Sequence, residues 1–312
     1  MTRRAARVDT NWVAAGNSGV ERPPRSDHGR MRGDPGLELA APYYQRGREV
    51  TRLASARGRL ERERTEELVQ RHLPPTPATV ADVGGGPGSY SLWLAASGYS
   101  VIHRDLFPLH VQQTCEAASA AGLLIDSSVA DARHLDLPDD SVDAVLLLGP
   151  LYHLHDRDQR LHCWREARRI LRPGGVVFAA AISRWATLLD GSLLKRLSLQ
   201  YENFDATLDR ALATGYLDPL EPGGFAAYTH RPDEFMAEAA EAGFTAAPPV
   251  AIEGPGYFML DVEERHADRL AWNEVLDAAR RIEGVPELVG IGPHLLMTAY
   301  TSQDVDVALK SV

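Results

Sequence analysis

Val80-Ala-Asp-Val-Gly-Gly-Gly-Pro-Gly88 reads as a buried strand that ends in a glycine turn and runs on into a helix. The pattern Asp82-x-Gly84-x-Gly86-x-Gly88 lets the backbone turn tightly and approach a ligand closely. The helix behind it, Tyr90 to Ser97, offers unpaired N–H groups and a positive dipole end to an anionic group. A dinucleotide fingerprint reads Gly-x-Gly-x-x-Gly, but its third glycine is here Ser89, and Pro87 stiffens the turn. No Gly-Lys-Ser/Thr follows, which excludes a P-loop.

Outward from this loop, strands and helices alternate. Thr79 to Val83, Ser100 to Arg104, Ile125 to Val129, Val142 to Leu148 and Val176 to Ile182 read as strands. Leu109 to Ala121 and Asp158 to Leu171 read as helices between them. This rhythm argues for right-handed crossovers and a mostly parallel sheet covered on both faces. It stops over 183–230, which holds six of the 22 aromatics and two short helical stretches. It then resumes with a helix at Pro232 to Ala242, a strand at Pro249 to Glu253, a long helix at Val262 to Ile282 and a last strand at His294 to Thr301. Ahead of the glycine loop, Arg48 to Ala56 and Leu60 to Leu73 have helical spacing, with Gly58 as a break and Pro74-Pro75 as a stop. The expected organisation is a disordered tail over 1–35, N-terminal lid helices over 36–75, an α/β core over 76–182 and 231–303, and a lid or substrate insert over 183–230.

Charge and composition narrow the partners. The chain has 312 residues with 33 basic and 43 acidic side chains, for a net charge of -10. An acidic chain is poorly suited to a polyanion, because phosphate neutralisation dominates nucleic-acid affinity. Only Lys195 and Lys310 are lysines, a skew that reads as codon bias. No apolar run approaches the roughly 18–20 residues that span a bilayer, so no membrane partner is expected. Two cysteines, Cys115 and Cys163, make no disulfide framework, and the default compartment is the cytoplasm. Residues 1–35 carry seven Arg against four acids. They hold no apolar region long enough for a secretory signal, and Met31 is an alternative start to Met1.

Further strand-end residues supply the context that a lone glycine loop lacks. Asp105 ends the second strand, 23 residues after Asp82, where a carboxylate can accept from both ribose hydroxyls. Asp131 follows the third strand, and Leu171-Arg-Pro-Gly-Gly175 precedes the fifth. With these motifs the chain resembles the class I S-adenosylmethionine-dependent methyltransferases over about residues 40–302. It is most similar to small-molecule enzymes of the methyltransferase-11/25 type from biosynthetic settings. The resemblance implies a Rossmann-like, seven-stranded sheet with an antiparallel last strand, and S-adenosylmethionine as cofactor. It also implies roles. Asp82 and the backbone of Gly84, Gly85, Gly86 and Gly88 would hold the methionine moiety, and Asp105, with Leu106 beside it, the ribose. Asp131 and the Ala132 N–H would read the adenine edge, and Gly149 would lie near the methyl group. Carboxylates at strand ends complement a cofactor that carries a sulfonium and an ammonium.

The acceptor side is read from Leu148-Gly-Pro-Leu-Tyr-His-Leu-His155. Nucleic-acid amino-methylating enzymes place Asn/Asp-Pro-Pro-Tyr/Phe here, and its absence disfavours a flipped base. His153 is the general-base candidate, since histidine takes a proton near neutral pH; the alternative is a histidine that only bonds in the loop or packs beneath the cofactor. Tyr152 is the second catalytic candidate. The run His153-x-His155-Asp156-x-Asp158 invites a metal, but Asp156 or Asp158 as a helix N-cap explains the acids more simply, and no metal is expected. His103 and His294 read as packed histidines. Tyr43 and Tyr44 are candidates to close a lid, and Trp185, Tyr201, Phe225, Tyr228 and His230 are pocket candidates from the insert. The function expected is methyl transfer to an O, N or C nucleophile of a small molecule. The alternative is a non-methylating, cyclase-type enzyme or a regulatory protein that binds the same cofactor. A nicotinamide oxidoreductase is weakened by Ser89 and the lack of a Tyr-x-x-x-Lys pair. The N-terminal helices offer a surface for homo-oligomer formation.

Overall fold

The computed structural model describes residues 35–44 and 49–301. The tail expected over 1–35 lies, apart from Pro35, outside the described residues, as do Met31 and Arg48. Helices α1 (Pro35–Tyr44), α2 (Glu49–Arg52) and α3 (Ala56–Gln70) lead into β1 (Thr79–Val83), α4 (Ser89–Ala96), β2 (Ser100–Asp105), α5 (Pro108–Ala121) and β3 (Ile125–Val129). There follow β4 (Val142–Leu147), α6 (Pro150–His153), α7 (Arg157–Ile170) and β5 (Leu171–Ser183). Next come α8 (Ala186–Leu188), two tight helical turns, α9 (Phe204–Thr214) and the hairpin of β6 (Tyr216–Leu217) and β7 (Ala227–His230). The chain closes with α10 (Pro232–Glu241), β8 (Thr245–Ala246), β9 (Val250–Ala251), α11 (Val262–Ala267), α12 (Arg269–Ile282) and β10 (His294–Tyr300). Among the described residues no helix is long and apolar enough to cross a membrane.

Seven sheet positions are filled in the order β3-β2-β1-β4-β5-β10-β8, with β9 sharing the last position beside β10. The first five strands are parallel and β10 is antiparallel to β5. The strand order reverses between β1 and β4, and in such sheets ligands bind outside the carboxyl ends at that switch point. Apolar runs in β4 and β5 reflect burial on both faces. Val145, Leu147, Val177, Ala179 and Ala181 join one core with Trp164 of α7 and Phe235 of α10. Their alternates Ala144, Leu146, Val176, Phe178 and Ala180 join the other, with Tyr90 and Leu94 of α4 and Leu68 and Val69 of α3.

Three local expectations are corrected. Gly58 does not break the helix but sits in the first turn of α3, where Ser55 Oγ accepts its N–H at 3.1 Å. A Cβ there would meet Arg52 O at 2.3 Å and Leu53 Cα at 2.6 Å, so the glycine admits a crossing backbone. The long helix at 262–282 divides into α11 and α12, because Asp268 turns out of the helix and caps α12 through the N–H groups of Leu270 and Ala271. Residues 227–230 of the expected insert join the sheet, with Thr229 and His230 paired in parallel to Ile182 and Ser183 of β5.

Overpacking of this kind costs about 1–3 kcal/mol. Gly58→Ala is therefore expected to lower the urea-unfolding free energy by about that amount. An unchanged midpoint would show that the chain at Arg52 and Leu53 yields freely.

Candidate active site

Two loops face each other at the switch point. After β1, Gly84 and Gly85 donate to Arg104 O of β2 at 2.6 and 3.4 Å, and Gly86 N–H donates to Asp105 Oδ2 at 2.8 Å. Gly84 has φ +68°, and a Cβ on it would lie 2.5 Å from Pro150 Cγ in the loop after β4. Gly149 lies as close in return, its would-be Cβ 3.0 Å from Gly84 O. Only glycines allow the two loops to touch. Asp82 is buried, with Ser91 Oγ donating to its Oδ2 at 2.6 Å, and burial pushes its carboxyl pKa up. Gly88 stands apart. It starts α4 at φ +82° and backs onto Thr114, so it is a packing residue and not part of the cleft wall.

Asp82, Gly84, Gly85, Gly86, Asp105, Leu106, Asp131, Ala132 and Gly149 share one cleft. Asp105 Oδ1 accepts from Phe107 N–H at 2.8 Å and pairs with His110 Nδ1 at 3.0 Å. That fixes His110 with its Nε2 buried on the cleft wall and without a partner among the described residues. His110 was missed in the sequence; its signal was a position five residues past Asp105, one turn into the next helix. Asp131 is gripped by Arg133, whose backbone N–H and Nη2 lie 2.9 and 2.6 Å away. His103 is structural. Its Nε2 donates to Gly86 O at 3.0 Å, so its Nδ1 accepts from Ser127 Oγ at 2.8 Å.

The loop after β4 forms α6 and brings Tyr152 and His153 to the cleft. Tyr44 Oη lies 2.6 Å from His153 Nε2. Burial raises the tyrosine well above its ordinary pKa, and burial lowers the histidine to about 3. The hydroxyl therefore keeps its proton, the ring stays neutral, and Nε2 of His153 is held in a bond to Tyr44. This geometry favours the loop-bonding alternative for His153 over proton abstraction. Tyr44 also stacks on Phe107 at 5.3 Å and meets His110 edge-on at 5.6 Å, while Tyr43 meets Phe225 at 5.4 Å.

Beyond Tyr44, Glu49, Arg52 and Tyr152 lies a second cavity of about 690 Å³ that shares these four residues with the cleft. Tyr43, Tyr201, Phe225, Tyr257, Glu61 and His294 are in its wall. Arg52 bonds Glu49 at 2.7 Å and Glu61 at 2.5 Å. Its role carried no sequence signal, because Glu61 comes from another helix. Trp185, Tyr228 and His230 do not line either space. Tyr228 lies under the Arg160 guanidinium, 3.7 Å from the ring centroid, and Arg160 is itself buried on Glu238 at 2.7 Å. His230 Nε2 faces the same Glu238 at 3.3 Å. The side chains of β7 thus cover a buried ion pair, and Trp185 is 40% exposed beside Gly290 and Arg231.

Asp156 caps α7 by accepting Asp158 N–H at 2.7 Å, which accounts for the acids after His155. Among the described residues, Glu61, Glu253 and His294 do bring three potential metal-ligand atoms within 4.8 Å. Arg52 and the His294–Glu253 contact at 2.5 Å already satisfy them as ion pairs.

A buried histidine held neutral gives a signed pH dependence. With the folded pKa of His153 at about 3 against an ordinary 6.5, its contribution to stability is full above about pH 6.5. It is lost as pH falls toward 3, because the unfolded chain binds the proton first. His153→Gln is expected to make the fall of unfolding free energy below pH 6.5 shallower, by at most about 1.4 kcal/mol per pH unit. Parallel curves for the two proteins would count against a neutral, buried His153.

Comparison with known proteins bears on the same region. A family model described as a methyltransferase domain matches residues 81–179. Methyltransferase GfsG of Streptomyces halstedii is 32% identical over 151 residues, which is 47% of this chain and 52% of that protein. The ubiquinone/menaquinone biosynthesis C-methyltransferase UbiE of Acidiphilium cryptum is 37% identical over 123 residues, 38% of this chain and 47% of that protein. The chain thus spans about half the length of the curated relatives it matches. A SAM-dependent methyltransferase from Methanosarcina mazei shares the fold, with a TM-score of 0.52 at 19% identity over 75% of this chain and 96% of that one. Sequence through the middle of the sheet and fold around it agree: residues 81–179 match a methyltransferase domain, and the sheet that holds them has a fold shared with a SAM-dependent methyltransferase.

Proposed function

We propose that the protein transfers the methyl group of S-adenosylmethionine to an O, N or C nucleophile of a small molecule. The observation that carries this reading is the junction at Tyr44, Glu49, Arg52 and Tyr152, where a carboxylate-lined cleft opens into a separate, aromatic-walled cavity. One space has the chemistry of the cofactor, and the other has room for an acceptor beside it.

The residues present fit the cofactor. Asp82 is a carboxylate kept from water, and a cationic ammonium would stabilise its charged form. A Cβ on Gly85 would fall 2.6 Å from Asp82 Oδ2, so the loop leaves its backbone bare next to that acid. Asp105 retains lone pairs for ribose hydroxyls, and the unpartnered His110 Nε2 supplies a further polar contact on the same wall. Asp131 and Ala132 N–H would meet the adenine, and Gly149 the methionine end. When bound, the sulfonium supplies an activated methyl whose bond to sulfur breaks with the electron pair left on sulfur. The protein's own part is to position the acceptor in line and keep water away. Tyr43, Tyr44 and Phe225 would do this, as rings packed between the cleft and the cavity.

A small acceptor is supported by the bounded cavity and by the net charge of -10. The partial relatives point the same way: one is named for ubiquinone and menaquinone biosynthesis. Titration calorimetry is expected to show S-adenosylmethionine binding. Asp105→Ala should weaken it about 10- to 100-fold, as the loss of hydrogen bonds from a charged group implies. Mass shifts of candidate acceptors incubated with labelled cofactor test the transfer itself. Binding of NAD in place of S-adenosylmethionine would overturn the reading, and binding without consumption would favour a non-methylating role.

A further inference from the structure

His294 opens β10 on the wall of the second cavity, away from the cofactor cleft. Its Nδ1 lies 2.5 Å from Glu253 Oε1, and its backbone N–H donates to Glu253 Oε2 at 3.3 Å. One fully buried carboxylate thus fixes both the ring and the main chain. Since a carboxylate only accepts, Nδ1 carries the hydrogen and the lone pair of the neutral ring lies on Nε2. That nitrogen has no hydrogen-bond partner among the described residues, and the side chain is 21% exposed on the cavity side. A carboxylate that orients an imidazole and stabilises its protonated form is the arrangement that makes histidine a proton acceptor.

The charged groups facing His294 are Glu253 after β9, Glu61 on α3 and Arg52 on α2. Burial alone would lower its pKa, but the two carboxylates outweigh that and Arg52 and hold it at about 9. Below that pH the ring is mostly protonated, and its proton-accepting form grows as pH rises toward 9, close to where a phenol ionises. His153, by contrast, is made weakly basic by burial, and its Nε2 is engaged by Tyr44.

We propose that His294, aimed by Glu253, takes the proton of an acidic hydroxyl, a phenol or an enol, on the methyl acceptor. This deepens the methyl-transfer reading above and rests on it. The O–H bond breaks, the proton goes to His294 Nε2, and the oxygen keeps the electron pair that serves as nucleophile. The imidazolium, stabilised by Glu253 and Glu61, returns its proton to solvent once the product has left. Glu253 is a positioning residue, and Arg52 pairs with Glu61.

The test uses full-length protein saturated with S-adenosylhomocysteine and 4-nitrophenol as probe, whose phenolate is read by its visible absorbance. Wild-type protein is expected to hold the probe as phenolate at least about one pH unit below its ionisation in free solution, a tenfold shift. His294→Gln is expected to abolish that shift while leaving affinity for S-adenosylhomocysteine unchanged. A histidine ring resonance titrating near pH 9 should vanish in the same variant, and the rise of kcat/KM toward that pH with a phenolic acceptor should vanish with it. Equal ionisation of the probe in both proteins, or no binding of it to the wild type, overturns the proposal. So does one-to-one binding of added Zn²⁺ or Mn²⁺ that His294→Gln removes, since that would make the cluster a metal site. A wild type that binds no S-adenosylhomocysteine sinks the methyl-transfer reading as well; one that binds it without shifting the probe sinks the role of His294 alone.

Discussion

The site depends on how closely two backbone segments can approach at the carboxyl ends of β1 and β4. Adjacent parallel strands bring their exits within a few ångströms, and ordinary side chains there would force the loops apart. Gly84 against Pro150, and Gly149 against Gly84 O, remove that obstacle. Once the loops touch, the remaining geometry follows. The N–H of Gly86 is delivered to Asp105, Asp105 sets His110, and α6 starts at Pro150 and carries Tyr152 and His153 to the junction of the two spaces. A methyl group on Gly84 would therefore act well beyond its own position.

Charge is arranged differently on the two sides of that junction. On the cofactor side Asp82, Asp105 and Asp131 line the cleft, and Arg133 answers only the last of them. On the side of the second cavity Arg52 pairs with both Glu49 and Glu61, and His294 lies against Glu253. These side chains come from segments as distant as α2, α3 and the loop after β9.

This also explains what the sequence made legible. That Gly84 to Gly86, Asp105 and Asp131 meet in one cleft could be expected, because their place follows from spacing from a strand end, a local property. Asp156 as a cap was legible for the same reason. Tyr228 and His230 were misread because what they serve is Arg160, and Arg160 meets Glu238 across 78 residues of chain. Gly58 looked like a helix break because the helical pattern does not show that the chain, turning between α2 and α3, brings Arg52 and Leu53 back against it. His294 was read as packed, since nothing near it in sequence announces Glu253, 41 residues earlier. Residues whose role is fixed by local geometry can be found from one chain, whereas those fixed by a remote charge cannot.

The pairing of β7 with β5 has a mechanical side. The hairpin behind Phe225 is tied to the sheet at Ile182 and Ser183, and Arg184 adds bonds from its Nε to Thr229 O and from its N–H to His230 O. Facing it, α1 is held by side chains: Tyr43 meets Phe225, Tyr44 stacks on Phe107, meets His110 edge-on and bonds His153, and Leu37 packs on the core. An aromatic pair contributes about 0.5–1.5 kcal/mol, and one hydrogen bond adds about 1 kcal/mol, whereas peeling the hairpin breaks a main-chain ladder and uncovers a buried ion pair. The cavity thus has one wall tied to the sheet by main-chain bonds and one wall held by side-chain contacts.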